Sequence, residues 1–378
     1  MIHSPDVLTS MDDLPTSSKI SVFGAGETGQ EFARRLRRVR PDVEITCFID
    51  SFRDGSCDGI DIRKPSHIAD LSDNTGIVIA SVFWNEISEL ISKSFSRRCK
   101  ILSNELINQS SHLSSYGPFY FERDESVFLE ERLCSISERL RSDLDRDIFR
   151  KAFDLRVYRR EREFFKFADE IVRQQRKSFE TKDKYSMHLD LKSVGYAIEG
   201  GVFDGQDTYR LLEALKKNGN FKKMYAFDPF LDSFRRGQYF KKIDQSLCEF
   251  NEQVLWDREE EIAFSVDKEN PANSKVVRGT DIKGDSKKCS AVTVDKFLEK
   301  TGTPVDLIKL DVEGSENNVL DGARKSILKH RPTLAISIYH RKEHLLEIPE
   351  YLLSLHDDYK FSISINNPTF VDMVLYAS

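Results

Sequence analysis

No stretch of this 378-residue chain approaches the roughly eighteen uninterrupted apolar residues that a membrane-spanning helix needs. The opening residues, MIHSPDVLTSMDD, also lack the basic and apolar regions of a secretory signal, so a cytoplasmic protein is expected. An excess of positive charge is missing too: 57 Lys and Arg face 63 Asp and Glu, for a net charge of -6 and a pI near 5.9. Without a basic field, a nucleic-acid or anionic-membrane partner is not expected, and a small molecule is. Six cysteines, Cys47, Cys57, Cys99, Cys134, Cys248 and Cys289, fall in no CxxC or His-paired spacing, which points to reduced, non-ligating thiols. Internal repeats and low-complexity tracts are absent.

What is present starts with length, enough for two domains with one core each. The stretch around which the chain is organised is AIEGGVFDGQDT, residues 197–208. A short apolar run enters it, Glu199 and the glycines Gly200, Gly201 and Gly205 follow, and a helix-compatible YRLLEALKK leaves it. That is a strand, a tight turn and a helix, the opening unit of a doubly wound α/β sheet. Glycine lets backbone pass close to a ligand, and a carboxylate at the strand's end suits a ligand carrying an ammonium, as S-adenosylmethionine (SAM) does. A turn that serves the fold alone is the alternative.

Taken in order, residues 1–17 are polar, carry Pro5 and Pro15, and are predicted to be a poorly ordered tail. Residues 18–110 read as a small Rossmann-like domain. KISVFGAGETG places Gly24, Gly26 and Gly29 in GxGxxG spacing after a strand, a helix pattern follows, and VEITCFID ends on Asp50 about 20 residues beyond the last glycine, where a ribose-binding carboxylate belongs. The unit is half-sized, with no second half to hold a nicotinamide, so nucleotide binding stands beside a structural or assembly role. Residues 111–185 are densely charged with apolar residues at helical intervals and predict amphipathic helices joining two domains. Their aromatic stripe of Phe149, Phe153, Tyr158, Phe164, Phe165 and Phe167 reads as a packing surface.

Residues 186–378 alternate strand and helix: KKMYAF to Asp228, a helix LDSFRRGQYF, a third strand CEFNEQVLW, and a polar loop from about Asp267 to Lys288 between EEIAFSV and AVTVDKFL. Then come a fourth strand VDLIKLDVEGSE, a helix NNVLDGARKSIL, the strand TLAISIYH and a helix IPEYLLSLHDD. The last two strands, KFSISINN and FVDMVLYAS, are joined too closely to be anything but antiparallel. A reversed strand at the edge of a parallel sheet is the ending of a SAM-dependent methyltransferase and not of a plain dinucleotide fold.

Candidate chemistry gathers at the strand ends. Asp228 stands where a carboxylate accepts from both ribose hydroxyls, unless it only caps the next helix. Lys309, Asp311 and Glu313 alternate with apolar residues, so as a strand they share one side; they bind a ligand there or form a structural Lys309 to Asp311 pair. Glu316 reads as a first-turn acid that suits the helix dipole. His340, near the end of the fifth strand, is a candidate proton acceptor for a hydroxyl nucleophile, or a hydrogen-bonded loop histidine.

IEGGVFDG, YAFDPF with Phe234, DLIKLDVEGSENNVLDGA, ISIYH with Ile348-Pro349, and VLYA together resemble the FkbM family of SAM-dependent methyltransferases over about half the chain. The resemblance implies SAM bound by Glu199, Gly201, Asp204, Gly205 and Asp228, and O-methylation of a sugar or another polyhydroxylated molecule. Glu199 and Asp228 stand where Asp and Glu are usual in the family, so charge is kept while reach changes. The first domain is similar to Rossmann-like modules beside polysaccharide-modifying enzymes. An oxidoreductase working at Gly24, Gly26, Gly29 and Asp50 on a nucleotide or nucleotide-sugar, or a silent assembly module, are the competing readings. A divalent metal at Asp311 and Glu313 is left open.

Overall fold

The structure, a computed structural model, describes residues 6–81, 84–103, 106–107, 118–122, 125–179, 187–217, 219–265, 275–277, 286–366 and 372–378. The chain divides into two units, one of residues 1–123, 154–170 and 367–370, the other of residues 124–153, 171–366 and 371–378.

The first unit holds a seven-stranded sheet in the order β1-β7-β6-β2-β3-β5-β4. Its strands are β1 (Asp6–Leu8), β2 (Lys19–Phe23), β3 (Glu44–Ile49), β4 (Gly55–Cys57), β5 (Ile60–Arg63), β6 (Thr75–Ile79) and β7 (Lys100–Leu102). All pairings are parallel except the β4–β5 hairpin. The helix Glu27–Val39 turns Phe32, Ala33 and Leu36 inward onto Val22 and Phe48, so the apolar stripe of QEFARRLRRV becomes one side of the core. The predicted tail is corrected from Asp6 onward: β1 adds to the edge of β7, with Val7 and Leu8 buried, and Ser10 forms a capping box with Asp13. Three residues are too few for alternation to betray a strand.

In the second unit the main sheet runs β10-β9-β8-β15-β16-β18-β17, built from β8 (Tyr196–Gly200), β9 (Lys223–Phe227), β10 (Cys248–Asn251), β15 (Leu307–Leu310), β16 (Thr333–Ser337), β17 (Phe361–Ile365) and β18 (Met373–Ala377). The first five are parallel, while β18 is inserted antiparallel between β16 and β17, the reversed ending the short connection demands. The central strands are buried along their length, as parallel strands covered on both faces must be.

Several elements end earlier than their patterns suggest. CEFNEQVLW is two strands: β10 stays in the main sheet, and β11 (Val254–Leu255) joins a four-stranded sheet ordered β11-β14-β12-β13, with β12 Glu261–Ser265, β13 Lys275–Val277 and β14 Ser286–Val292. The break falls at Glu252, whose carboxylate takes Lys287 at 2.6 Å and Arg235 at 3.0 Å and so pulls the chain out of the ladder. The predicted polar loop falls largely outside the described residues. The helix after Asp228 stops at Arg236, where the amide of Gly237 closes on the Phe234 carbonyl. NNVLDGARKSIL is two short helices, Glu316–Gly322 and Arg324–His330, meeting at Ala323.

The helical connector contributes the helices Ser126–Ser137, Asp143–Tyr158 and Glu161–Phe179, and the division between units runs through the latter two. Phe149, Phe153, Phe164 and Phe165 of the aromatic stripe are buried, and Phe165 meets Trp84 edge-on at 4.8 Å. Edge strand β17 does not stand open: Phe361 exchanges backbone hydrogen bonds of 2.9 Å with Arg139 and Arg141. Asp145, itself buried, accepts from the Ile363 amide at 2.8 Å and from Ser142. Asp145→Ala leaves that buried amide without its acceptor, so a loss of about 1–3 kcal/mol is expected in urea unfolding; an unchanged midpoint would show the edge is held elsewhere.

Candidate active site

The parallel strands of the second unit deliver their C-terminal ends, and most of the expected site residues, to one edge of the sheet. At the end of β8, Glu199 is fully buried and its Oε1 lies 3.1 Å from Lys309 Nζ on the neighbouring β15. Lys309 sends its short hydrogen bond to the Gly201 carbonyl at 2.8 Å, so its contact with Glu199 is chiefly one of charge. Burial raises the Glu199 pKa and the ammonium opposes it. The expected Lys309 to Asp311 pair is therefore replaced by Lys309 to Glu199, because β15 ends at Leu310 and Asp311 already belongs to the loop. For the same reason Lys309, Asp311 and Glu313 do not form one row on a strand. Glu199 is thus held as a buried partner of Lys309, with almost none of its side chain exposed.

The turn glycines also answer first to the fold. Gly201 has φ +86°, and a Cβ there would stand 1.9 Å from the Asp311 carbonyl oxygen; a Cβ on Gly205, φ +79°, would enter the Phe234 ring. A side chain at Gly201 would therefore strike the loop backbone that follows β15. Asp204 is exposed and accepts from the Gln206 amide at 2.9 Å, an Asx turn just ahead of the helix Gln206–Lys216, whose N-cap is Gly205. Asp228 takes the amides of Val202 and Phe203 on Oδ2 at 3.0 and 3.1 Å and that of Phe230 on Oδ1 at 2.7 Å. It holds the turn and the start of the next loop together.

The first unit repeats this device. Asp50 accepts from Ala25 on Oδ2 at 2.9 Å and from Phe52 and Arg53 on Oδ1 at 2.8 and 3.0 Å. Burial would raise its pKa, but these amides outweigh burial and lower it. Gly24, with φ +109°, and Gly29 are pressed against backbone, whereas a Cβ on Gly26 would meet nothing within 4 Å.

Beyond β15 and β16 a second cluster forms. His340 Nδ1 lies 2.9 Å from Glu316 Oε1; Nε2 lies 3.4 Å from Glu313 Oε2 and 3.7 Å from Asp311 Oδ1. Glu316, fully buried, also accepts from the Val312 amide at 3.0 Å and faces His344 Nδ1 at 3.2 Å through Oε2. Tyr339 donates to Asp311 Oδ1 at 3.2 Å. Burial would lower the His340 pKa, but Glu316 and then Glu313 raise it well above the ordinary imidazole value. Glu316 is driven the other way: burial raises it, and His340 and His344 bring it far below the usual carboxylate range. A raised pKa favours the protonated ring, which bears against His340 as a neutral proton acceptor. Glu316 and His344 were missed; a first-turn glutamate looks like an ordinary helix-dipole residue, and only the fold brings it to a histidine 24 positions away.

Two outcomes follow. Gly201→Ala is expected to lower the stability of the second unit by at least about 2 kcal/mol, from the left-handed backbone and the carbonyl it would strike; a variant with native melting temperature would refute the packing account. Glu316→Gln breaks a fully buried ion pair and is expected to cost about 3–5 kcal/mol in chemical unfolding, where a loss under about 1 kcal/mol would mean the pair is not formed.

Residues 193–362 match the methyltransferase FkbM domain family. Among solved structures, the chain is similar to a methyltransferase FkbM from Methylobacillus flagellatus KT, with 17% identity, 96% of this chain and 90% of that chain covered, and a TM-score of 0.64, a likeness of fold. An O-methyltransferase family protein from Burkholderia thailandensis aligns at 13% identity over 68% of this chain and 70% of that one, with a TM-score of only 0.27. No curated protein matches. With its strand order, its glycine turn and this match together, the second unit is similar to the methyltransferase FkbM domain over residues 193–362, a little under half of the chain.

Proposed function

We propose that the second unit transfers a methyl group from S-adenosylmethionine to a hydroxyl of a sugar, glycan or other polyhydroxylated small molecule. The observation that carries this reading is the sheet order β10-β9-β8-β15-β16-β18-β17, with one reversed strand between two neighbours. Ligands of such sheets bind outside the C-terminal strand ends at the point where strand order reverses, here between β8 and β15. The cofactor's place is the surface of the turn from Gly200 to Gly205, with its ribose toward Asp228. Because Asp228 already receives three amide hydrogen bonds, it has little acceptor capacity left, and it contributes by shaping the turn as much as by touching the diol.

The sulfonium is an activated donor, so the protein's task is alignment and removal of one proton. The S–CH3 bond breaks as the O–CH3 bond forms, S-adenosylhomocysteine leaves, and the hydroxyl proton passes to a carboxylate. Asp311 and Glu313, part-exposed at the ends of the strands, are placed for that, with His340 orienting them as a buried cation.

A second reading concerns the first unit, as a site for a nucleotide or nucleotide-sugar, NAD(P) included, at Gly24, Gly26, Gly29 and Asp50. Its support is the open approach to Gly26, the position where a pyrophosphate nears the backbone in dinucleotide folds. Against it, Asp50 is occupied by amides as Asp228 is.

Calorimetry of SAM on the full chain tests both. One site is expected, weakened about ten- to a hundredfold by Asp228→Ala through loss of about 1.5–3 kcal/mol of charge-assisted hydrogen bonding. Unchanged affinity in a folded Asp228→Ala variant would remove that residue and its turn from the site. A rise in melting temperature with NAD(P) or a UDP-sugar, lost on Gly26→Val, would establish the first unit as a second site; no rise would leave it structural.

A further inference from the structure

The cluster beyond β15 and β16 has the donor set and arrangement of a metal centre. Asp311, Glu316 and His340 each bring a ligand-type atom within 4.8 Å of the others, and Glu313 adds a carboxylate 3.4 Å from His340 Nε2. The two faces of His340 are not equivalent. Its Nδ1 lies 2.9 Å from Glu316, which is fully buried and itself anchored by the Val312 amide; its Nε2 faces Asp311 and Glu313, which remain partly open to solvent. A buried carboxylate on one imidazole nitrogen with further ligands at the other is how proteins orient a metal-binding histidine. Ligand atoms bound at about 2.1 Å to a shared ion stand roughly 3.0–3.4 Å apart. The observed 3.4 and 3.7 Å from His340 Nε2 to Glu313 and Asp311 lie near that spacing.

The geometry points to a divalent-cation site formed by His340 Nε2, Asp311 and Glu313, with Glu316 as the positioning carboxylate. Charge favours it. Three carboxylates surround His340, while Lys309 pairs with Glu199. One imidazole with two carboxylates suits Mn2+ or a similar ion that accepts nitrogen and oxygen together. Tyr339, hydrogen-bonded to Asp311, holds that ligand in place. The site lies against the glycine turn, since Gly201 packs on the Asp311 carbonyl. On the proposed methyltransferase reading, the ion would draw two vicinal hydroxyls of the acceptor into place and lower the pKa of the one to be methylated. With Asp311 and Glu313 engaged as ligands, its proton then passes to solvent in place of the direct transfer to either carboxylate.

Mn2+ titrated into chelator-stripped full-length protein, with neither SAM nor acceptor present, provides the test by electron paramagnetic resonance. One bound ion per chain is expected, with affinity reduced at least tenfold by Asp311→Asn and by Glu313→Gln, both part-exposed positions whose variants should fold. No binding at millimolar Mn2+, or binding indifferent to both substitutions, would overturn the inference. Because the readout involves no cofactor, a failure here leaves methyl transfer standing, and a failure of SAM to bind leaves the metal site standing.

Discussion

The ion pair between Glu199 and Lys309 sets the geometry on which the second unit's site depends. Two adjacent parallel strands, β8 and β15, each carry one charge at the same register, where both faces of the sheet are covered. Neither charge could be buried alone without a cost of several kcal/mol. Together they fasten the strand ends, and the hydrogen bond from Lys309 to the Gly201 carbonyl extends the tie into the turn. Gly201 in turn rests on Asp311, so the turn that would receive a cofactor and the loop that bears the carboxylates are positioned by one contact.

Asp50 and Asp228 reveal a constraint common to both units. A strand-to-helix turn exposes amides with no partner in the sheet, and a carboxylate from the next strand can supply one. In each unit a single aspartate does so, with both oxygens engaged. A carboxylate at this position is therefore explained by the fold before any ribose is invoked. The short side chain of Asp228 suits that inward role.

The sheet was legible because its information is local. Apolar runs such as IVIASV and LAISI, the glycine turns and the tight link between the last strands each specify an element and its direction. Where elements end was less legible, because Glu252 leaves its strand for Lys287 and Arg235, and β15 stops at Leu310 for a turn in which Glu313 and Gly314 both adopt positive φ. The site was read in its members but not in its partners. Lys309, Asp311, Glu313 and His340 do gather at the strand ends. Yet Lys309 pairs with Glu199, and His340 lies against Glu316, which sequence position alone gave no reason to connect with it.

A crystal structure of the full chain with S-adenosylhomocysteine would test the central claim most directly. The account expects the ligand along the Gly200–Gly205 turn, its ribose toward Asp228 and its sulfur facing Asp311 and Glu313. A ligand seated away from this turn, or at Gly24–Gly29 of the first unit, would contradict it.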